Sequence, residues 1–169
     1  MAALKILNKG RDTMKKLSVL LTISVLFAFG YVHWEVAPVR AEEKPVVNKV
    51  DTIKAGKEEG TIDKEFFKKI VAEKPANVSI VDVRTPFEYQ AGHFDGAIHI
   101  HINDLFNKGC DSTLDRLPKE GYVVFVCASG TRAAEMYFGI QDDCKYRDSK
   151  RLFFLDANVA YTPNGPVVQ

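Results

Sequence analysis

From residue 61 onward, the apolar positions of this chain alternate between helical stripes and short runs bounded by turn residues. Thr61 or Asp63 can cap a helix over 64–74, where Phe66, Phe67, Ile70 and Val71 make one apolar stripe. Pro75 and Asn77 end it, and 78–83 reads as a mostly buried strand. A short helix over 86–91, a turn at Gly92 and a strand over 97–101 come next. Helical stretches around 102–106 and 112–117, parted at Gly109, lead to the apolar strand 122–126. A helix over 132–141 and a strand over 152–155 complete the pattern, and the rest reads as an irregular tail. Ahead of all this, 42–60 is mostly charged and reads as a flexible linker with one short edge strand near 46–53. Short apolar strands alternating with helices predict an α/β domain over 61–169, its mainly parallel sheet covered on both faces.

The pattern before residue 42 is of another kind. Lys5, Lys9, Arg11, Lys15 and Lys16 precede an uncharged, mostly apolar stretch from Leu17 to Val32, and Val39-Arg40-Ala41 supplies small residues for a peptidase. A basic segment, an apolar segment and a small-x-small site make a signal peptide over 1–41, with cleavage near Ala41 and a more typical start at Met14. The rival reading is an uncleaved membrane anchor, disfavoured because the apolar stretch of 16 residues is shorter than the roughly 20 that cross a bilayer; after cleavage no stable membrane span is expected. The expected location is outside the cytoplasm, in the periplasm or cell envelope. Removal of the leader changes the charge. Six of 23 Lys/Arg and two of 22 Asp/Glu lie before residue 42, leaving 17 basic against 20 acidic residues and a net charge of −3. A nucleic-acid partner, which calls for a clustered basic face, is therefore not expected.

The chemistry concentrates where the strand 122–126 stops. Cys127 closes that strand, and Ala128, Ser129, Gly130 and Thr131 form a short loop before Arg132 opens a helix. Ligands of open α/β sheets sit beyond the carboxyl ends of the strands. Small loop residues let backbone N–H groups converge there, and the helix dipole favours negative charge at the same point. Such surroundings favour the thiolate, which is the nucleophile. Arg132 adds a permanent cation with forked donors, suited either to steering an anion or to locking the loop.

Three other groups have roles that are less sharply defined. Asp82, Arg84 and Glu88 read as a structural network, with Arg84 and Glu88 at a spacing that allows an i,i+4 pair. Cys110 and Cys144 are either a disulfide favoured by export or two independent thiols. His99 and His101 share one face of a strand, a face better explained as an exposed edge than as a metal site. No metal and no cofactor is called for.

Three segments in order resemble the rhodanese (sulfurtransferase) family. Asp82-Val83-Arg84-Thr85-Pro86-Phe87-Glu88-Tyr89 is similar to its Asp-x-Arg-x-x-x-Glu-Phe/Tyr opening. Gly92-His93-Phe94-Asp95-Gly96-Ala97 is similar to its Gly-His-Ile-x-Gly-Ala segment, and Cys127 to Arg132 matches its Cys-x-x-Gly-x-Arg loop. The chain departs from the family after the last strand, where Asp156-Ala157-Asn158 stands in place of a Gly-Gly pair and tryptophan. The resemblance implies a three-layer α/β/α fold and a persulfide relay through Cys127, from thiosulfate or a polysulfide or persulfide donor to a thiol or cyanide. The implied partners are a small sulfur-containing anion and a thiol acceptor. A non-catalytic carrier or sensor of sulfane sulfur would use the same loop. Related phosphatases have Cys-x5-Arg, one residue wider than the Cys-x4-Arg spacing here, so the loop suits sulfur rather than phosphate.

Overall fold

A computed structural model describes residues 48–169. The proposed signal peptide, its cleavage site and the start of the linker lie outside the described residues. Four strands form one sheet in the order β2 (Ile98–His99), β1 (Val78–Asp82), β3 (Tyr122–Val126), β4 (Leu152–Phe154), and every neighbouring pair is parallel. The central strand β3 explains the layering. Val123, Phe125 and Cys127 face one core, shared with side chains from α3 (Ile102–Leu114) and α4 (Thr131–Phe138). Val124 and Val126 face the other, shared with Phe67 and Ile70 of α1 (Lys64–Glu73) and with Phe94. A strand buried on both faces must be apolar throughout. Each fully buried Val or Phe side chain here contributes about 1.5–3 kcal/mol.

Local chemistry sets the element ends. Asp63 caps α1 by accepting the Phe66 N–H at 2.9 Å. α2 (Pro86–Ala91) starts from a reciprocal capping box between Thr85 and Glu88, with Pro86 at its first turn. Within α3, Gly109 leaves helical geometry at φ 82°, ψ 175°, so the expected break is there, but helix resumes directly after it and ends at Leu114. After α4, a π-helical turn over Gly139–Asp143 replaces the last helical residues expected near 141. Cys144, which caps this turn, is disulfide-bonded to Cys110 of α3, with Cα atoms 5.4 Å apart.

Two sequence expectations need correction. The tail is not irregular: β5 (Val159–Thr162) and β6 (Gly165–Val168) form an antiparallel hairpin. Thr162 opposes Gly165 across the two-residue turn Pro163-Asn164, the Thr162 hydroxyl donates to Gly165 O at 2.8 Å, and Gly165 holds φ 106°. No strand forms over 48–53, the described part of the expected edge strand. The Asn77 side-chain amide takes both backbone groups of Val50 that a sheet ladder would have used, at 2.9 and 2.7 Å. Further along, an Ala55–Ile62 bridge and a Lys54–Asp63 ion pair hold the stretch before α1 against the domain.

Candidate active site

Cys127 sits one residue beyond β3, and its side chain is 1 % exposed. The loop turns back under it because Gly130 adopts φ 89°, a region that disfavours side chains. That turn aims the Gly130 N–H at Cys127 Sγ, 3.2 Å away. The first helical bond runs from the Ala134 N–H to Gly130 O at 2.8 Å. The N–H groups of Thr131, Arg132 and Ala133 therefore have no carbonyl upstream and point out of the helix end, which is the general basis of anion binding at such ends. Ser129 and Thr131 are exposed, with their hydroxyl oxygens 3.4 Å apart. Ala128 carries no polar side chain but offers its carbonyl to Val159 N–H at 2.8 Å.

Acid–base pairs brace the loop from the β1 side, but the pairing differs from the one the spacing suggests. Arg84 does not meet Glu88, because Arg84 lies upstream of the Thr85 cap and outside α2. Its guanidinium instead clasps Asp82 at 2.7–3.0 Å and donates to Gly92 O at 2.6 Å, with both side chains buried. Asp82 also accepts the Arg84 backbone N–H at 3.0 Å. Glu88 reaches across to Arg132, taking two guanidinium bonds of 2.8 Å each, one on each carboxylate oxygen. These Arg132 bonds, with help from Thr85, hold the Glu88 carboxyl far below the usual carboxylate range. The same bonds push Arg132 upward from its usual value. Arg132 thus locks the loop to α2, and its charge is already matched.

The opposite brace is the chain after β4, where Asp156 and the hairpin residue Tyr161 have roles that the sequence pattern did not assign. The Tyr161 hydroxyl donates to Cys127 O at 3.3 Å, while its ring lies 3.3 Å from the Arg84 guanidinium carbon. Burial, followed by the nearby Asp82 carboxylate, pushes the Tyr161 phenol well above the usual tyrosine range. Asp156 packs against the loop at Gly130: a Cβ placed there would lie 2.8 Å from Asp156 Oδ1 and 3.2 Å from Leu155 O. One signal was available in the sequence. Pro163-Asn164-Gly165 is a run of turn-forming residues that points to a reversal there, although the turn itself is Pro163-Asn164, with Gly165 already in β6.

The remaining candidates lie to the side. His99 Nε2 is 2.7 Å from Arg84 O, and its ring stacks on Tyr89 at 4.6 Å, with His101 beyond at 6.5 Å. Among the described residues, no group of three or more His, Cys, Asp or Glu side chains could hold a metal ion. Cys110 and Cys144 are bonded to each other, so Cys127 is the free cysteine among the described residues.

A parallel α/β sheet whose central strand ends on a buried cysteine, curled inside a glycine-bearing loop at a helix N-terminus, defines a cysteine-centred anion cradle. Residues 63–156 match the family model described as Rhodanese-like domain, and the chain belongs to that family, which is related to sulfurtransferases. Among solved structures, a protein from Saccharomyces cerevisiae is 25% identical with a TM-score of 0.45, over 57% of this chain and 83% of its own. A single-domain sulfurtransferase from the same yeast is 16% identical with a TM-score of 0.46, over 62% and 89%. A rhodanese-related protein from Thermoplasma volcanium is 19% identical with a TM-score of 0.43, over 58% and 84%. No curated protein matches the chain.

Proposed function

We propose that this protein is an exported single-domain sulfurtransferase that moves sulfane sulfur through a Cys127 persulfide. The observation that carries the reading is the Gly130 N–H donated to Cys127 Sγ at 3.2 Å, at a helix end whose next three N–H groups are unmatched. A persulfide adds a second, charged sulfur beyond Sγ, where those donors can meet it as an oxyanion hole meets an oxygen. The near-complete burial of Cys127 favours a donor that enters end-on with sulfur as its terminal atom. Splitting the transfer in two fits nucleophilic catalysis. The Cys127 thiolate attacks the outer sulfur of a donor, the donor's S–S bond breaks, and the departing thiol or sulfite takes the electron pair. An acceptor thiolate or cyanide then attacks the outer sulfur of the persulfide, and Cys127 leaves as thiolate.

The test is intact mass spectrometry of the secreted protein before and after sulfane-sulfur donors, coupled to turnover with cyanide. The expected result is a chain beginning near residue 42, a gain of one sulfur, and turnover that Cys127→Ser abolishes. Failure of thiosulfate, polysulfide and organic persulfides alike to load Cys127 overturns the reading. Stable loading without turnover replaces the enzyme with a carrier of sulfane sulfur.

A further inference from the structure

We infer that the donor used by this loop is an organic persulfide with little or no net negative charge, in preference to the thiosulfate dianion, and that Asp156 sets that preference. The inference rests on the persulfide reading of Cys127 above. Its basis is the charge at the loop. Two guanidinium groups reach the site, and each already has a carboxylate: Arg84 is held by buried Asp82, and Arg132 is held by both oxygens of Glu88. The loop residues Ala128, Ser129, Gly130 and Thr131 bring no charge. Asp156 is the third carboxylate, exposed, with Oδ1 2.8 Å from the point where a Gly130 Cβ would stand.

Gly130 is also the residue whose N–H touches Sγ at 3.2 Å, so bond lengths keep the Asp156 carboxylate within about 9 Å of the sulfur. That bound is comparable with the Debye length of roughly 8–10 Å at ordinary salt, so the charge is felt at the sulfur. Three carboxylates against two guanidiniums give the site a surplus negative charge before the Cys127 thiolate is counted. A dianion approaching such a site is repelled twice as strongly as a monoanion, while a donor carrying an ammonium group beside its persulfide is not repelled. The loop amides would still receive the terminal sulfur of either donor.

Both half-reactions balance. Thiosulfate gives Cys127–S–S⁻ and sulfite. A protonated persulfide R–S–SH loses its outer sulfur to the Cys127 thiolate, giving Cys127–S–S⁻ and the thiol R–SH, the proton passing to the departing sulfur.

The experiment measures single-turnover loading of Cys127 by thiosulfate and by 2-aminoethyl persulfide, for the wild type and for Asp156→Asn, at low and high salt. In Asp156→Asn the thiosulfate rate should rise about threefold to tenfold, with the aminoethyl persulfide rate unchanged or lower. High salt should shrink the difference between the two proteins. Asp156→Ser removes the same charge and should shift the ratio the same way, whatever the fate of the first variant. A donor ratio that neither variant moves overturns the donor assignment and leaves sulfur transfer standing. Failure of both donors to load the wild type overturns sulfur transfer itself.

Discussion

The Cys127 loop is held from two sides that work on different physics. On the β1–α2 side the hold is ionic: Asp82 on Arg84, buried, and Glu88 on Arg132, each about one-third exposed. On the side of the chain after β4 the hold is made without ion pairs, with Val159 N–H on Ala128 O, the Tyr161 hydroxyl on Cys127 O, and the Leu155–Asp156 backbone packed against Gly130. The sides meet where the Tyr161 ring lies on the Arg84 guanidinium. An ion pair gains strength with burial but becomes a liability if half of it is lost, whereas a neutral contact loses only what it contributed. The sharpest break is therefore expected on the buried ionic side. Asp82→Ala should cost about 3–5 kcal/mol in urea unfolding, because Arg84 is left buried without its carboxylate. Asp82→Ala with Arg84→Met should recover much of that loss. A single-variant cost below about 1 kcal/mol would mean that the ionic side braces nothing.

The hairpin side can be divided by chemistry. Tyr161→Ala removes ring, hydroxyl and cation–π contact and should cost about 2–4 kcal/mol, whereas Tyr161→Phe removes only the hydroxyl and should cost about 1 kcal/mol. The phenol also predicts an alkaline effect. Because burial raises its folded value, the stabilisation is fully present below the ordinary tyrosine value of about 10 and is lost as pH rises through the folded value. Thermal melts from pH 8 to 11 should show the wild type weakening at the alkaline end and Tyr161→Phe weakening less. Parallel curves would assign Tyr161 a ring role alone. Gly130→Ala tests the junction of the loop with the hairpin. A positive φ and a Cβ facing Asp156 Oδ1 should cost about 1–3 kcal/mol, with Cys127 loading falling more than stability.

The two sides also differ in how plainly the sequence announced them. The mainly parallel, doubly covered sheet was legible in apolar runs that must be buried on both faces, though the strand order was not, and β3 ended where its last valine meets the thiol. Asp82, Arg84 and Glu88 stood out by their Asp-x-Arg-x-x-x-Glu spacing and read as a structural network, yet the Arg84–Glu88 pair that this spacing suggested does not form. Spacing along the chain suggested that Arg84 and Glu88 were one helical turn apart. The Thr85 cap puts them on different elements, and Arg132, 44 positions after Glu88, completes the pair. No local rule reports a contact of that length. The hairpin was hidden for another reason. Its strands are four residues each, half-buried, and carry a proline opposite Tyr161, which masks the period-two pattern. Tyr161 and Asp156 matter through what they touch, and those contacts exist only after the chain has doubled back.

The smallest expected effect separates the exposed ionic pair from the buried one. Glu88→Gln keeps the shape and the Thr85 cap contact but gives Arg132 a neutral partner, and partial exposure limits the expected cost to about 1 kcal/mol at pH 7. The Glu88 carboxyl lies below its ordinary value in the folded protein, so its contribution is present above about pH 4.5 and is lost as pH falls through the folded value. Urea unfolding of wild type and variant at pH 7, 5 and 3 should give a gap that is widest at pH 7 and narrowest at pH 3. High salt should narrow the gap at pH 7, where the pair is charged and within reach of solvent. The same salt should leave the cost of Asp82→Ala nearly unchanged, because that pair is shielded from solvent. A Glu88→Gln gap that holds constant with both pH and salt would remove charge from the Glu88–Arg132 lock and leave only its geometry.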